Sequence, residues 1–139
     1  MISTAVINDL SEILEIETSI IGHKNREQMI REFVESDKCI ISKENGKTVG
    51  YLIFSHNFFD SNFIELLMVK PEFQNKGIAS SLIRHYEKIL GNGKIFTSTN
   101  SSNQKMINLL KKLNFVDSGI IYNLDDNDPE LIFFKNIVK

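Results

Sequence analysis

The sequence predicts an α+β domain, in which a mixed and mostly antiparallel sheet is flanked by helices. Short runs rich in Val, Ile, Phe and Tyr alternate with segments whose apolar residues recur at spacings of three and four. Asn45-Gly46 separates two of the strand-like runs, which is a strong signal for an antiparallel hairpin. Since 139 residues suffice for one core, we expect a single domain over residues 1–139.

The first third of the chain predicts a strand, two helices and the hairpin. Residues 3–7 are typical of a strand, and Asn8 or Asp9 can cap a helix that ends at the Gly22-His23-Lys24-Asn25 break. The inner face of this helix has Leu10, Ile13, Leu14 and Ile20, and that of a second helix has Met29, Ile30, Phe33 and Val34. Strands over 38–42 and 48–54 form the hairpin, and the polar and aromatic segment 55–62 predicts a connection.

The rest of the chain predicts two strand–helix pairs and a final hairpin. A strand over 63–69 ends at Pro71, and a helix follows whose inner face has Ile78, Leu82, Ile83, Tyr86, Ile89 and Leu90. After Gly91-Asn92-Gly93 we expect a strand over 94–99, then a helix capped by Ser101 or Ser102 that carries Met106, Leu109, Leu110 and Leu113. Strands over 115–122 and 131–138 flank an acidic turn at 125–130, which completes the order β-α-α-β-β-β-α-β-α-β-β.

Composition and charge restrict the partners and the compartment. The net charge of -2 gives no general attraction to nucleic acid or to an anionic membrane, and no apolar run approaches the roughly 20 residues of a membrane span. The first residues show no signal peptide, and Cys39 is the only cysteine. We therefore expect a cytoplasmic protein without nucleic-acid or membrane partners.

The sequence predicts neither a metal site nor a cysteine nucleophile. His23, His56 and His85 are scattered and lack metal-ligand spacing, although His56 is a weak candidate for an acceptor-binding residue. Cys39 lies in an apolar strand without an evident base, which is typical of inert packing.

The stretch from Val69 to Leu82 has the chemistry of an anion site. The first amides of a helix have no partner within the helix and lie at the positive end of its dipole. Gly77 allows a ligand to approach the backbone, and Gln74, Asn75 and Lys76 add donors and one positive charge. The alternative is a plain helix start with a glycine in its turn.

The residues Met68-Val69-Lys70-Pro71-Glu72-Phe73-Gln74-Asn75-Lys76-Gly77-Ile78-Ala79 resemble the coenzyme A loop of the GNAT superfamily of N-acetyltransferases. That family writes the loop as hydrophobic-V-x-P-x-[YF]-[QR]-x-x-G-[IV]-[GA], and its element order is similar to the one predicted above. The resemblance implies that acetyl-CoA is a co-substrate, and the scattered histidines predict that no metal takes part. It implies contacts with acetyl-CoA from Leu67, Met68, Val69, Gln74, Asn75, Lys76, Gly77, Ile78, Ala79 and Ser80.

The segment from Asn103 to Phe115 is similar to a second family pattern, N-x-x-A-x-x-[LF]-Y-x-K-x-G-F. The resemblance implies that Asn103 bonds the pantetheine arm, whereas the alternative is a polar residue in the first helical turn. Asn114 stands in place of the family's glycine and tolerates a left-handed backbone. Leu110 stands in place of the tyrosine that often protonates the leaving thiolate, so the general acid is not identified.

Glu65 is the candidate catalytic residue, because it is the only charge in the strand over 63–69, which we expect to be largely buried. Its position is similar to that of the acid that accepts a proton from the amine in other amine acetyltransferases. The alternatives are a salt bridge to a nearby Lys or Arg, or a strand end close to the surface.

Together these features predict transfer of an acetyl group from acetyl-CoA to a primary amine of a small molecule or peptide by direct attack. The alternative is a catalytically degenerate acetyl-CoA-binding sensor or interaction module, which the leucine at position 110 suggests. The acidic turn at 125–130 is compatible with a cationic acceptor or with a plain solvated turn. Four phenylalanines could belong to the core or to an interface, and an interface would allow a homodimer. They are Phe58, Phe59, Phe133 and Phe134.

Overall fold

The computed structural model describes residues 1–22 and 25–138, so His23 and Lys24 of the predicted break lie outside the described residues. In those residues the predicted order of strands and helices is confirmed. The elements are β1 Ile2–Thr4, α1 Leu10–Ile21, α2 Glu27–Glu35, β2 Cys39–Glu44, β3 Lys47–Phe58, β4 Ser61–Val69, α3 Ile78–Leu90, β5 Gly93–Asn100, α4 Gln104–Lys112, β6 Val116–Ile121 and β7 Glu130–Ile137. Short 3-10 turns at Ile7–Asp9 and Pro71–Phe73 precede α1 and α3.

The seven strands form one mixed sheet in the order β1-β2-β3-β4-β5-β7-β6. The pairs β1–β2, β2–β3, β5–β7 and β6–β7 are antiparallel, whereas β4 and β5 are parallel because α3 connects them as a crossover. The predicted α+β class, with a mostly antiparallel sheet flanked by helices, is confirmed.

The described residues form two compact units, and β3 and β4 contribute to both. Unit 1 comprises those of Met1–Ser55 and Glu65–Ile89, and unit 2 comprises those of His56–Ile64 and Leu90–Lys139. None of the helices found over 1–22 and 25–138 is long and apolar enough to cross a membrane.

The core of unit 1 lies between α1, α2 and strands β2 and β3. Leu66 and Met68 of β4 pack against this cluster, whose buried members are Ala5, Leu10, Ile13, Ile16, Ile30, Val34, Cys39, Ile41, Tyr51 and Ile53. Asn45 and Gly46 both have positive φ, 53° and 79°, and Glu44 pairs directly with Lys47. These values are those of a two-residue type I′ turn, so the predicted hairpin is confirmed.

Three details predicted for unit 1 are wrong. Ile7 lies in a 3-10 turn rather than in the first strand, because the Asp9 carboxylate accepts a hydrogen bond from the Val6 amide and closes that turn. Ile20 and Ile89 are 37% and 51% exposed, although both were predicted on inner helix faces. Each lies in the last turn of its helix.

The predicted connection at 55–62 is also wrong, because the two strands continue through most of it. Strand β3 extends to Phe58 and β4 begins at Ser61, so only Phe59 and Asp60 form the turn. Both have positive φ, 51° and 58°, a conformation that non-glycine residues rarely adopt and that their sequence does not signal. Phe59 is 88% exposed, and the ring of Phe58 stacks on that of Phe63 with centroids 4.7 Å apart.

In unit 2, β7 pairs with β5 and with β6, and Phe133 of β7 is fully buried and therefore a core residue. The residue that caps α4 differs from the prediction: the Asn103 side chain accepts a hydrogen bond from the Met106 amide at 3.2 Å. Ser101 and Ser102 donate instead to the carboxylate of Asp128.

Candidate active site

The backbone between β4 and α3 forms an open cradle of amides in unit 1. A Cβ atom at Gly77 would meet nothing within 4 Å, and the φ of Gly77 is +82°. The first hydrogen bond of the following helix runs from the Ser81 amide to the Gly77 carbonyl, at 3.0 Å. The amides of Ile78, Ala79 and Ser80 therefore have no partner within the helix, and this end of a 13-residue helix favours an anion.

Side chains of the same loop hold it in shape. Gln74 Nε2 donates to the carbonyl of Val69 at 3.0 Å, which links the two ends of the turn. The Lys76 ammonium lies 5.3 Å from the centroid of the Phe73 ring, within the range of a cation–π contact. Asn75, Lys76 and Gly77 are exposed. The loop is thus fixed by its own contacts while its positive charge and amides stay accessible.

Glu65 is half-buried rather than largely buried, and a hydroxyl group holds one of its oxygens. Ser55 Oγ donates to Glu65 Oε2 at 2.6 Å, and Ser55 is only 2% exposed. Within 1–22 and 25–138, no ion pair includes Glu65, so the salt-bridge alternative is not met. The second oxygen, Oε1, is the part of this carboxylate that remains for a substrate.

Glu65 lies beside the apolar core of unit 1. Tyr51 and Ile53 of β3 face this core, and alternation places Ser55 on the same face. Glu65 accepts a hydrogen bond from Ser55, and the next residue of β4, Leu66, packs against the core. The Glu65 carboxylate is therefore held next to apolar side chains by a hydroxyl group.

In unit 2, the segment that begins at Asn103 combines a cap with a buried face. Asn103 is exposed and caps α4, and Asn114 has a left-handed φ of 72°, as the sequence predicts. Leu110, which stands where the family pattern has a tyrosine, is 1% exposed and belongs to the core. The phenol of Tyr122, at the end of the predicted strand over 115–122, is 65% exposed.

The acidic turn of unit 2 is tied to the end of β5. The carboxylate of Asp128 accepts hydrogen bonds from the Ser101 hydroxyl and from both the hydroxyl and the amide of Ser102. Asn100 Nδ2 donates to Asp125 at 2.8 Å. The side-chain and backbone bonds from Ser102, aided by Ser101, lower the pKa of Asp128 despite a small opposing effect of burial. These carboxylates therefore have a structural role in linking two loops.

The sequence did not single out the most buried carboxylate, Glu17 of α1. Glu17 is 1% exposed; its Oε1 accepts from the Tyr51 hydroxyl at 2.6 Å, and its Oε2 lies 2.5 Å from Arg26 Nε. Burial, followed by the bond to Glu17, raises the pKa of Tyr51 far above its ordinary value. The available signal was its position, one residue after Ile16 and four after Ile13, on the inner stripe of the helix.

Among the described residues, Cys39 and His56 do not have the surroundings of a second catalytic centre. Burial, and to a smaller extent the charge of Asp9, raises the pKa of the Cys39 thiol to about 12, so this thiol is inert at neutral pH. His56 is exposed, with Nδ1 3.0 Å from Asn62 Oδ1. In the described part of the chain, no group of three or more His, Cys, Asp or Glu residues is placed to hold a metal ion.

A family model described as "Acetyltransferase (GNAT) family" matches residues 7–115, a range that includes Glu65, the amide cradle and Asn103. The chain belongs to the GNAT acetyltransferase family. This GNAT protein is similar over its full length to a GNAT-family acetyltransferase from Bacillus cereus ATCC 10987, with 36% identity, 98% of that chain covered and a TM-score of 0.92.

Two further structures share the fold of this GNAT protein at lower identity. The ribosomal-protein-S18-alanine N-acetyltransferase from Escherichia coli is 20% identical, with a TM-score of 0.86 over 100% of this chain and 94% of that one. The putative acetyltransferase yncA from Salmonella typhimurium, solved with its cofactor acetyl-CoA, is 18% identical, with a TM-score of 0.80 over 98% and 92%. A search of curated protein sequences found no match.

Proposed function

We propose that this GNAT protein transfers an acetyl group from acetyl-CoA to a primary amine of a small molecule or peptide by direct attack. The observation that carries the proposal is the amide cradle at Gly77. Three helix amides there lack partners within the helix, and the space beside Gly77 is open. The related fold of yncA, whose structure contains acetyl-CoA, supports the same cofactor here.

The residues of the cradle suit the pyrophosphate of acetyl-CoA. The amides of Ile78, Ala79 and Ser80 offer donors at a positive helix end, and Lys76 adds a cation on the exposed side of the loop. The proposed contacts are those that the family resemblance implies, with Gln74 acting through its bond to the Val69 carbonyl. They comprise Leu67, Met68, Val69, Gln74, Asn75, Lys76, Gly77, Ile78, Ala79 and Ser80, with Asn103 from α4.

In the proposed reaction, Glu65 accepts a proton from the ammonium group of the acceptor. The free amine then attacks the thioester carbonyl, and a carbon–nitrogen bond forms. The carbon–sulfur bond breaks to release coenzyme A thiolate, and the nitrogen gives its second proton to that thiolate or to water. A backbone amide of Met68 or Val69 is the proposed donor to the carbonyl oxygen. Since Leu110 is buried and has no proton to give, the thiolate leaves without a tyrosine acid; a thiol pKa of about 8.5 makes this acceptable.

The cradle is tested with a matched pair of glycine variants, G77V and G46V. Both glycines have φ near 80° and open space around the Cβ position, so both variants carry a similar backbone strain. Isothermal titration with acetyl-CoA should show at least tenfold weaker binding for G77V and wild-type affinity for G46V. Equal affinity for G77V and the wild type would overturn the assignment of the loop.

Transfer itself is tested by release of coenzyme A thiol with a panel of polyamines, amino acids and peptides. Steady, acceptor-dependent release supports the enzyme. Leu110 favours one other candidate, an acetyl-CoA sensor that binds without turnover, because the acid position is an apolar core residue. Tight binding without thiol release across the whole panel would favour the sensor.

A further inference from the structure

Ser55 is an unexpected residue at its position in strand β3. It follows Tyr51 and Ile53 on the face that forms the apolar core of unit 1, and it is itself only 2% exposed. A buried hydroxyl costs free energy unless it is hydrogen-bonded, and Ser55 donates at 2.6 Å to Glu65 Oε2. Packing alone would favour an apolar residue at this position, whereas Ser55 instead provides a hydroxyl that binds Glu65.

We propose that Ser55 is a positioning residue that holds Glu65 Oε2 and thereby leaves Oε1 as the atom that accepts the proton of the amine. The inference rests on the proposed function, because it assigns a role within the same reaction. Ser55 keeps its own proton throughout. The amine proton moves to Oε1, and the hydrogen bond to Oε2 stays in place.

The geometry supports this division between the two oxygens. A half-buried glutamate has several rotamers, and a charge-assisted bond of 2.6 Å selects one of them. Ser55 and Glu65 lie on neighbouring strands joined by a two-residue turn, so the pairing of these strands brings the hydroxyl to the carboxylate. Glu17 provides the contrast, because both of its oxygens are engaged by protein groups.

The test compares the wild type with S55A and S55T in two measurements. In acetyl transfer from pH 5 to 9, S55A should lose about tenfold in kcat with an unchanged KM for acetyl-CoA. This split between kcat and KM is expected because the lost hydrogen bond frees the Glu65 carboxylate from its position without touching the cofactor site. S55T retains a hydroxyl and should restore most of the turnover; S55A kinetics equal to those of the wild type would overturn the inference.

The second measurement does not depend on turnover. In protein labelled with 13C at the glutamate carboxyl carbons, the Glu65 signal of S55A at pH 7 should differ in chemical shift from that of the wild type, because Oε2 loses its hydrogen bond to Ser55. Identical Glu65 signals in the two proteins would overturn the proposal that Ser55 holds Oε2. A different outcome separates this proposal from the proposed function. If the wild type releases no thiol with any amine but the Glu65 signals of S55A and the wild type differ, the proposed function and the proton-accepting role of Oε1 would be overturned. The hydrogen bond from Ser55 to Oε2 would then stand.

Discussion

Glu17 and Glu65 are two carboxylates of unit 1 with opposite surroundings. Glu17 is 1% exposed, with a phenol on one oxygen and a guanidinium on the other. Glu65 is half-buried, with one serine hydroxyl on one oxygen. Glu65 is the only charge in its strand, whereas Glu17 shares α1 with Glu12 and Glu15, and the fold distinguishes their roles by what it places around each carboxylate.

The difference shows that burial and the number of unused hydrogen-bond acceptor positions distinguish a structural carboxylate from a chemically active one. A buried charge is tolerated when all of its acceptor positions are used, which leaves nothing for a substrate. A carboxylate with one oxygen fixed and the other free costs less to hold and can accept a proton. Removal of Glu17 should therefore change stability, and removal of Glu65 should change turnover.

The largest effect is expected for E17A. This variant leaves the Tyr51 hydroxyl buried without its acceptor and Arg26 without its counter-ion, which should destabilise the fold by about 3–5 kcal/mol. Chemical denaturation measures this loss. Glu15 lies on the exposed side of the same helix, and E15A should change stability by less than about 0.5 kcal/mol. Equal, small losses for both variants would contradict the structural role of Glu17.

The next largest effect is expected for E65Q, and it should appear in turnover. The amide of glutamine can still accept the Ser55 hydrogen bond but cannot take up a proton, so kcat should fall by about 10²–10³-fold. Thermal stability and acetyl-CoA affinity should stay close to those of the wild type. If kcat and stability fell together while affinity also weakened, Glu65 would be structural and the contrast with Glu17 would disappear.

The sequence predicted the parts of the site that depend on local rules. Pro71 and Gly77 mark the turn before α3, and the spacing of Ile78, Leu82 and Tyr86 gives the helix whose free amides form the cradle. Asn114 was predicted to tolerate a left-handed backbone, and its φ of 72° agrees. These features involve residues close together in the chain, where conformational preferences act directly.

What the sequence could not predict depends on contacts between distant residues. Ser55 and Glu65 meet because β3 and β4 are joined by Phe59 and Asp60, two residues with no glycine to announce a tight turn. The segment 55–62 was therefore predicted as a connection, which concealed the partner of the candidate base. The cap of α4 was missed for a similar reason: Asp128, far along the chain, engages both serines and leaves the cap position to Asn103.

Asp9 is a third carboxylate of unit 1, and it tests the comparison at intermediate exposure. It is 8% exposed, accepts the Val6 amide at 2.9 Å and lies 3.0 Å from Lys43 Nζ. Burial alone would raise the pKa of Asp9, but the Val6 amide and the Lys43 charge together outweigh it and lower that pKa. Both oxygens are engaged, as in Glu17, so Asp9 should contribute to stability and not to turnover.

The smallest effect is therefore expected for K43M, as a loss of about 1 kcal/mol in unfolding free energy at pH 7 without a change in kcat. A lowered pKa stabilises the fold above the unfolded value of about 3.9, and this contribution disappears as the pH falls through the native pKa. Urea unfolding at pH 7 and at about pH 3 should show the gap between wild type and K43M narrowing in acid. If the difference in unfolding free energy between the two proteins were the same at both pH values, the loss would come from the packing of the lysine side chain. A fall in kcat for K43M would contradict the inference that carboxylates of unit 1 with both oxygens engaged are structural.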